Sequence, residues 1–189
     1  MKRFIENLLL LVPRFFEKLQ VSNDLRKLKD LKASKIHPTF KIGKDNYWDI
    51  SPSAILNFEE NSTINESNYI TVKKNARLSI GKNTYITRAT ISCLGEIEIG
   101  ENCILGEGMK IFDHNHQYSK EPFSVSKTDF NIGKVKMGNN VWTGANVIIL
   151  KDVTIGDNVI LGAGCVIHKD VEANSVVVNG QSHKVILNN

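Results

Sequence analysis

The chain has 189 residues, 41% of them hydrophobic and 23% charged, with a formal net charge of +4. That length suits one domain with its own core, and 13 Gly and 4 Pro exclude collagen-like and low-complexity classes. So mild a charge gives no argument for nucleic acid as a partner. The three cysteines, Cys93, Cys103 and Cys165, lack CxxC spacing, so they read as buried reduced thiols of a cytoplasmic protein rather than a disulfide framework.

Residues 1–41 differ in character from the rest of the chain. Of the 15 leucines, eight lie before Lys32, against only 3 of the 36 Ile and Val. A Leu-rich helix former thus gives way to an Ile/Val-rich strand former near residue 35. The same 1–41 segment holds ten Lys/Arg against four Asp/Glu, a net of +6, which leaves −2 for the remainder. Its opening, Met1-Lys2-Arg3 and then Leu8 to Val12, resembles a signal peptide. Glu6 and Asn7 interrupt the apolar run, however, Pro13-Arg14 ends it, no A-x-A site comes after it, and it is too short to span a bilayer. Leu19, Leu25, Leu28 and Leu31 between Lys and Arg then suit an amphipathic helix. The expectation for 1–41 is an N-terminal helical extension of one or two helices packed on the main domain. The competing expectation is a peripheral contact of this basic helix with an anionic membrane face or a partner enzyme.

From residue 42 the sequence repeats. An aliphatic residue followed by a small one recurs at Ile42-Gly43, Ile80-Gly81, Ile99-Gly100, Leu105-Gly106, Met137-Gly138, Ile155-Gly156 and Leu161-Gly162. Positions 99, 105 and 111 hold a six-residue phase, as do 137, 143, 149, 155, 161 and 167. A period of six is a solenoid period: one short strand and a turn per unit, three units per triangular coil of about 18 residues. The aliphatic residue should point into the prism. The small residue and the Asn or Asp after it should take the tight, sometimes left-handed, corners, a demand that the 20 asparagines fit. Residues 42–187 are therefore expected to form a mainly β domain, a parallel β-helix to which residues 42–172 supply about six or seven coils.

The phase breaks once. After Ile111 it resumes only at Met137, so residues 112–131 leave the prism as an inserted loop that begins Phe112-Asp113-His114-Asn115-His116-Gln117-Tyr118. A solenoid gains no stability from such an excursion, and long loops of this kind usually carry function.

The run Met137-Gly-Asn-Asn-Val-Trp142-Thr-Gly-Ala145, then Val153-Thr-Ile-Gly-Asp-Asn-Val-Ile-Leu-Gly-Ala163, then Lys169-Asp170-Val171, joined to the His-bearing loop, resembles the left-handed β-helix hexapeptide-repeat acyltransferases. The likeness is to the sugar O-acetyltransferase type, which includes galactoside, maltose and xenobiotic acetyltransferases. It covers about residues 70–187 well and 42–69 loosely. It implies an acetyl-CoA-dependent O-acetyltransferase acting on a sugar or polysaccharide-precursor hydroxyl, in capsule, O-antigen or exopolysaccharide synthesis. A homotrimer is implied, with no metal and no nucleic acid.

The resemblance places His114 at the position of the catalytic base. A histidine of ordinary pKa is mostly neutral at pH 7 and can take the hydroxyl proton as the thioester carbonyl is attacked, a contribution of about 10²–10⁴ in rate. Asp113, His116, Tyr118, Thr87 and Arg88 become the candidate substrate-binding set, Asp113 either orienting an imidazole or favouring the turn. Trp142, Ala145, Ala163, His168, Lys169 and Lys184 become the candidate acetyl-CoA contacts, the small residues letting a pantetheine arm pass and the lysines meeting nucleotide phosphates. Two departures from the family pattern stand out. Its Gly-x-Pro ending reads Gly180-Gln-Ser-His183 here, and Thr87 stands where relatives often carry Asn. The alternatives are N-acetylation of a nucleotide-linked amino sugar, a γ-type carbonic anhydrase, for which histidine spacing fits zinc poorly, and a non-catalytic trimeric scaffold.

Overall fold

A branched aliphatic residue every sixth position, followed by one that tolerates a sharp corner, folds into three short strands per coil. The computed structural model describes residues 2–180 and, of their side chains, those of residue 13 and of 15–180. Three parallel sheets form the faces of a prism. The first face stacks Lys35–Ile36, Ile55–Phe58, Arg77–Ile80, Glu96–Ile99, Lys134–Met137 and Val153–Ile155. The second stacks Lys41–Ile42, Thr63–Ile64, Tyr85–Ile86, Ile104–Leu105, Trp142–Thr143, Ile160–Leu161 and Val176–Val177. The third stacks Tyr47–Ile50, Tyr69–Val72, Thr90–Cys93, Lys110–Phe112, Ile148–Ile149 and Val166–Ile167. The chain visits the faces in that order, giving six full coils and part of a seventh.

Every residue in the six-residue phase from Ile99 to Ile167 is buried, including Thr143, whose hydroxyl accepts the Gly106 N–H at 2.9 Å. Each such aliphatic side chain taken from water contributes about 1.5–3 kcal/mol. The corners agree with the expectation as well. Asn61, Asn83, Asn102, Asn140, Asn158 and Asn174 all have positive φ along the edge between the first and second faces. Asn is among the few residues that enter this region at little cost. Their side-chain amides form a ladder there: Asn61 donates to Asn83, Asn83 to Asn102, Asn140 to Asn158 and Asn158 to Asn174.

The coils are not of equal length. Near the N-terminus Lys35 pairs with Asn57 and Ile55 with Arg77, a longer step along the chain than the later pairs Val135 with Val153 and Ile160 with Val176. Three regular six-residue units per coil are kept only beyond the insertion, in the pairs Val135 with Val153, Trp142 with Ile160 and Ile148 with Val166. That is why the phase is plain after residue 99 and faint before it.

The first strand lies at Lys35–Ile36, so the solenoid begins earlier than the expected boundary at 42. The first coil lacks the full aliphatic-Gly signature that marks the later ones. One helix, Lys2–Lys29, precedes it and runs through Pro13. The proline's fixed φ is helical, and the Leu-rich sequence around it supplies propensity on both sides. Leu28 is buried in the core, with Leu25 and Leu31 packed against it. Among the described residues no helix is long and apolar enough to cross a membrane.

Candidate active site

The inserted segment is an antiparallel hairpin, His114–Lys120 against Phe123–Ile132, that leaves the prism at the edge between its third and first faces. Asp113 is the last residue of the prism before the hairpin and is fully buried. Its carboxylate accepts the Leu94 N–H at 2.9 and 3.0 Å and the Gly95 N–H at 2.7 Å, both from the same corner of the preceding coil. The Asp113 carbonyl accepts the Gly133 N–H at 2.7 Å, closing the neck of the hairpin. Charge-assisted bonds from backbone N–H groups are the strong kind, so the carboxylate has one position.

That carboxylate also receives the Nδ1–H of His114 at 2.9 Å. A carboxylate can only accept, so the contact puts the ring proton on Nδ1 and leaves the lone pair on Nε2. Phe112 and Phe130 hold the ring edge-on, with centroids 6.4 and 5.2 Å away. The side chain is 13% exposed, and among the described residues Nε2 has no hydrogen-bond partner. The arrangement is a preoriented imidazole at the foot of a surface hairpin. Cys93 lies fully buried beside the same carboxylate. Burial first, and then the Asp113 charge, push its thiol well above the usual range, so it stays protonated and inert.

The expectation of Asp113 among the substrate contacts is corrected by its complete burial: its place is behind His114. His116 lies two positions out on the hairpin and is exposed. Its Nδ1–H donates to the Ser126 carbonyl at 2.9 Å and its ring tilts against Phe130 at 4.6 Å, so it too offers Nε2 outward. Tyr118 projects from the hairpin, 64% exposed.

The remaining candidates are divided between edges. His168 and Lys169 lie, exposed, on the hairpin's edge, two coils further on. Thr87, Arg88, Ala145 and Ala163 lie on the edge between the second and third faces, one face away from His114. Arg88 is already engaged, with ion pairs to Glu66 at 2.9 Å and Glu107 at 3.2 Å that tie three coils together. Trp142 stands on the second face, 52% exposed, in an outward column with Tyr85, Ile104, Ile160 and Val176. One chain therefore does not bring His114 and the Ala145–Ala163 edge together. Lys184, and the residues after Gly180, lie outside the described residues. Among the described residues no three His, Cys, Asp or Glu side chains converge as metal ligands. Sequence reasoning misses Leu94, Gly95, Phe112 and Phe130. The only signal for them is the loop's place in the repeat, which fixes the coil whose corner lies behind it.

Residues 134–169 match the family described as bacterial transferase hexapeptide (six repeats). No curated protein matches the chain by sequence. Among solved structures, a maltose O-acetyltransferase from Clostridium difficile 630 is 26% identical over 79% of this chain and 66% of its own, with a TM-score of 0.49. A galactoside acetyltransferase in complex with coenzyme A is 28% identical over 72% and 60%, with a TM-score of 0.47. An N-acyltransferase from Bacillus cereus, in complex with dTDP and coenzyme A, is 17% identical over 87% of both chains, with a TM-score of 0.62. The chain thus spans under two thirds of the length of the maltose and galactoside enzymes it matches. Residues 134–169 are a bacterial transferase hexapeptide repeat, and the chain shares the parallel β-solenoid of the hexapeptide-repeat acyltransferases that its sequence resembles.

Proposed function

We propose that the protein is an acetyl-CoA-dependent O-acetyltransferase that acetylates a sugar hydroxyl in the building of a surface polysaccharide, with His114 as general base. The observation that carries this reading is the buried Asp113 carboxylate, which holds the His114 proton on Nδ1 and so presents a basic Nε2 at the protein surface. Nε2 takes the proton of the acceptor hydroxyl as that oxygen bonds to the thioester carbonyl carbon. When the C–S bond breaks, the imidazolium returns the proton to the leaving thiolate, so no covalent enzyme intermediate is needed. His116 and Tyr118, exposed on the same hairpin, position the acceptor.

The division of the site between two edges supports a homotrimer. Each interface would set the His114 edge of one copy against the Ala145–Ala163 edge of the next. The exposed column Tyr85, Ile104, Trp142, Ile160 and Val176 is an apolar stripe of the kind such assembly covers. Ala145 and Ala163 leave room for a pantetheine arm, and Lys169 supplies a cation for the phosphates. A reaction that draws on acetyl-CoA belongs to the cytoplasm.

The test is thermal stability with coenzyme A, followed by thiol release on a panel of sugars and amino sugars. At a hundredfold excess over Kd, a ligand of the folded state stabilises by about 2.7 kcal/mol. His114→Ala should keep that shift and lose transfer by about 10²–10⁴. Absence of any shift with coenzyme A would overturn the reading. Release only with amino sugars would move the acceptor from hydroxyl to amine.

A further inference from the structure

The N-terminal helix Lys2–Lys29 carries none of the candidate site residues. Its C-terminal portion is fixed to the prism: Leu28 is buried, Leu25 and Leu31 pack on the core, and the Lys44 ammonium donates to Glu17 at 3.0 Å. Just ahead of that anchor, Phe15 and Phe16 are 63% and 61% exposed and Leu19 is 46% exposed. The spacing 15, 16, 19 sets these three on one side of the helix, and they come after the apolar run Leu8–Val12 in sequence. Two adjacent phenylalanines left in water are unusual on a monomer's surface and mark a docking face.

Charge identifies what docks. Residues 1–41 carry +6 and the rest of the chain −2, so the basic character is confined to this end of the molecule. Arg14 and Lys18 flank the phenylalanines in sequence, and the nearest acid, Glu17, is neutralised by Lys44. A second copy of the segment would bring like charges together, whereas a surface of anionic phosphates would answer both the charge and the aromatic side chains. No described helix can cross a bilayer, which leaves the interface plane.

We infer that the N-terminal helix docks on an anionic lipid surface, with Phe15, Phe16 and Leu19 entering the acyl boundary and the basic residues meeting headgroup phosphates. The first coil, on which the helix is anchored through Leu28 and Lys44, then sits nearest the membrane. This inference stands on the helix alone and not on the acetyl-transfer reading.

The experiment is co-sedimentation of the full chain with vesicles of phosphatidylglycerol and phosphatidylcholine in equal parts, and with phosphatidylcholine alone, at low and high salt. Binding should require phosphatidylglycerol and weaken with salt. In Phe15→Ser/Phe16→Ser it should fall by about tenfold or more, and in Lys18→Glu by a smaller factor. The coenzyme A melting shift, read on the same samples, should be the same in the variants as in the parent chain. No binding to phosphatidylglycerol vesicles, or unchanged binding by the double serine variant, would overturn the inference. So would a smaller oligomer in that variant by light scattering, since the phenylalanines would then form a subunit contact. The two vesicle results would not touch the acetyl-transfer reading, which the coenzyme A shift tests separately.

Discussion

Replacing Asp113 by Asn keeps the shape of the side chain and exchanges one acceptor oxygen for a donor. The carboxylate now serves Leu94 N–H through both oxygens, Gly95 N–H through Oδ2 and His114 Nδ1–H through Oδ1. Asn can satisfy only one side of that arrangement. If its oxygen stays with the backbone amides, its NH₂ faces His114, Nδ1 must accept, and the ring proton moves to Nε2, where it abolishes the base. If its oxygen stays with His114, the NH₂ confronts two backbone donors in a site with no exposure. The second arrangement leaves a buried donor unpaired, a cost of about 1–3 kcal/mol, so the tautomer flip is the cheaper response. The expected loss in kcat/KM is then the whole general-base contribution of about 10²–10⁴, or about 3–5 kcal/mol in the barrier. Strain shared between the two arrangements should lower the melting temperature by about 3–10 °C in a chain of this size. The assay is thiol release with a sugar acceptor, beside thermal unfolding with and without coenzyme A. Asp113→Asn should also add almost nothing in a His114→Ala background, because the two act as a unit. Transfer by Asp113→Asn within a factor of about three of the parent rate, far less than a lost base would cost, would refute the assignment of Asp113 as the positioning residue.

The same corner and the three cysteines yield further outcomes. In Gly95→Ala the new Cβ would lie 2.6 Å from the Ile132 side chain and 2.7 Å from the Gly133 carbonyl. The methyl must push the hairpin neck off the prism, so stability should fall by about 1–3 kcal/mol and transfer should fall with it, as unfolding and thiol-release measurements would show. Cys93, Cys103 and Cys165 are all buried, and burial holds the Cys93 and Cys103 thiols above their usual value of 9.0. Iodoacetamide at pH 8 should therefore label none in the folded protein and three in denaturant, read by mass. Because those two thiols ionise only on unfolding, the stability they contribute is complete below the unfolded value and declines as pH rises beyond it.

Much of the fold was legible because the prism repeats one physical demand. The stretch from Met137 to Ile167 states that demand without interruption, in regular coils that set Met137 on Ile155 and Ile148 on Val166, and each phased side chain is buried. The longer coils that carry Phe58 and Ile80 meet the same demand with longer strands, Tyr69–Val72 where a later coil has only Ile148–Ile149, so no fixed period exposes them. The site was legible in part for the same reason: a long interruption stands out against a strict rhythm, and His114 and His116 lie at its start. What supports them was not. Leu94 and Gly95 come from the coil before, Phe130 from the returning strand of the hairpin, and only the folded register sets them around one imidazole. Arg88 has partners that the sequence did not announce. It stands among the candidate acceptor contacts, and in the fold its guanidinium pairs with Glu66 and Glu107 from the coils on either side.

The hairpin's position explains how a solenoid acquires a site without losing its core. Glu96 pairs with Lys134, Ile104 with Trp142 and Lys110 with Ile148, so all three faces resume beyond the insertion in the same alignment. The insertion is therefore invisible to the inward-facing residues: Ile97 meets Val135 and Ile99 meets Met137 as though adjoining coils ran straight on. Only a corner allows this, because there the chain already leaves one sheet and has not entered the next, and no ladder hydrogen bond has to be broken. Lengthening a connection costs free energy only logarithmically, so about twenty extra residues at a corner are cheap where one extra residue within a strand would turn its side chains outward. The same corner offers what a base requires. The neighbouring coil passes directly behind it, and the Leu94 and Gly95 N–H groups are turned toward Asp113 rather than into a sheet. A rigid stack supplies the fixed carboxylate, and the hairpin supplies surface that can change without disturbing it. The hairpin's exposed residues, His116 and Tyr118 first, are accordingly the positions at which substitution should change acceptor choice without disturbing the stack.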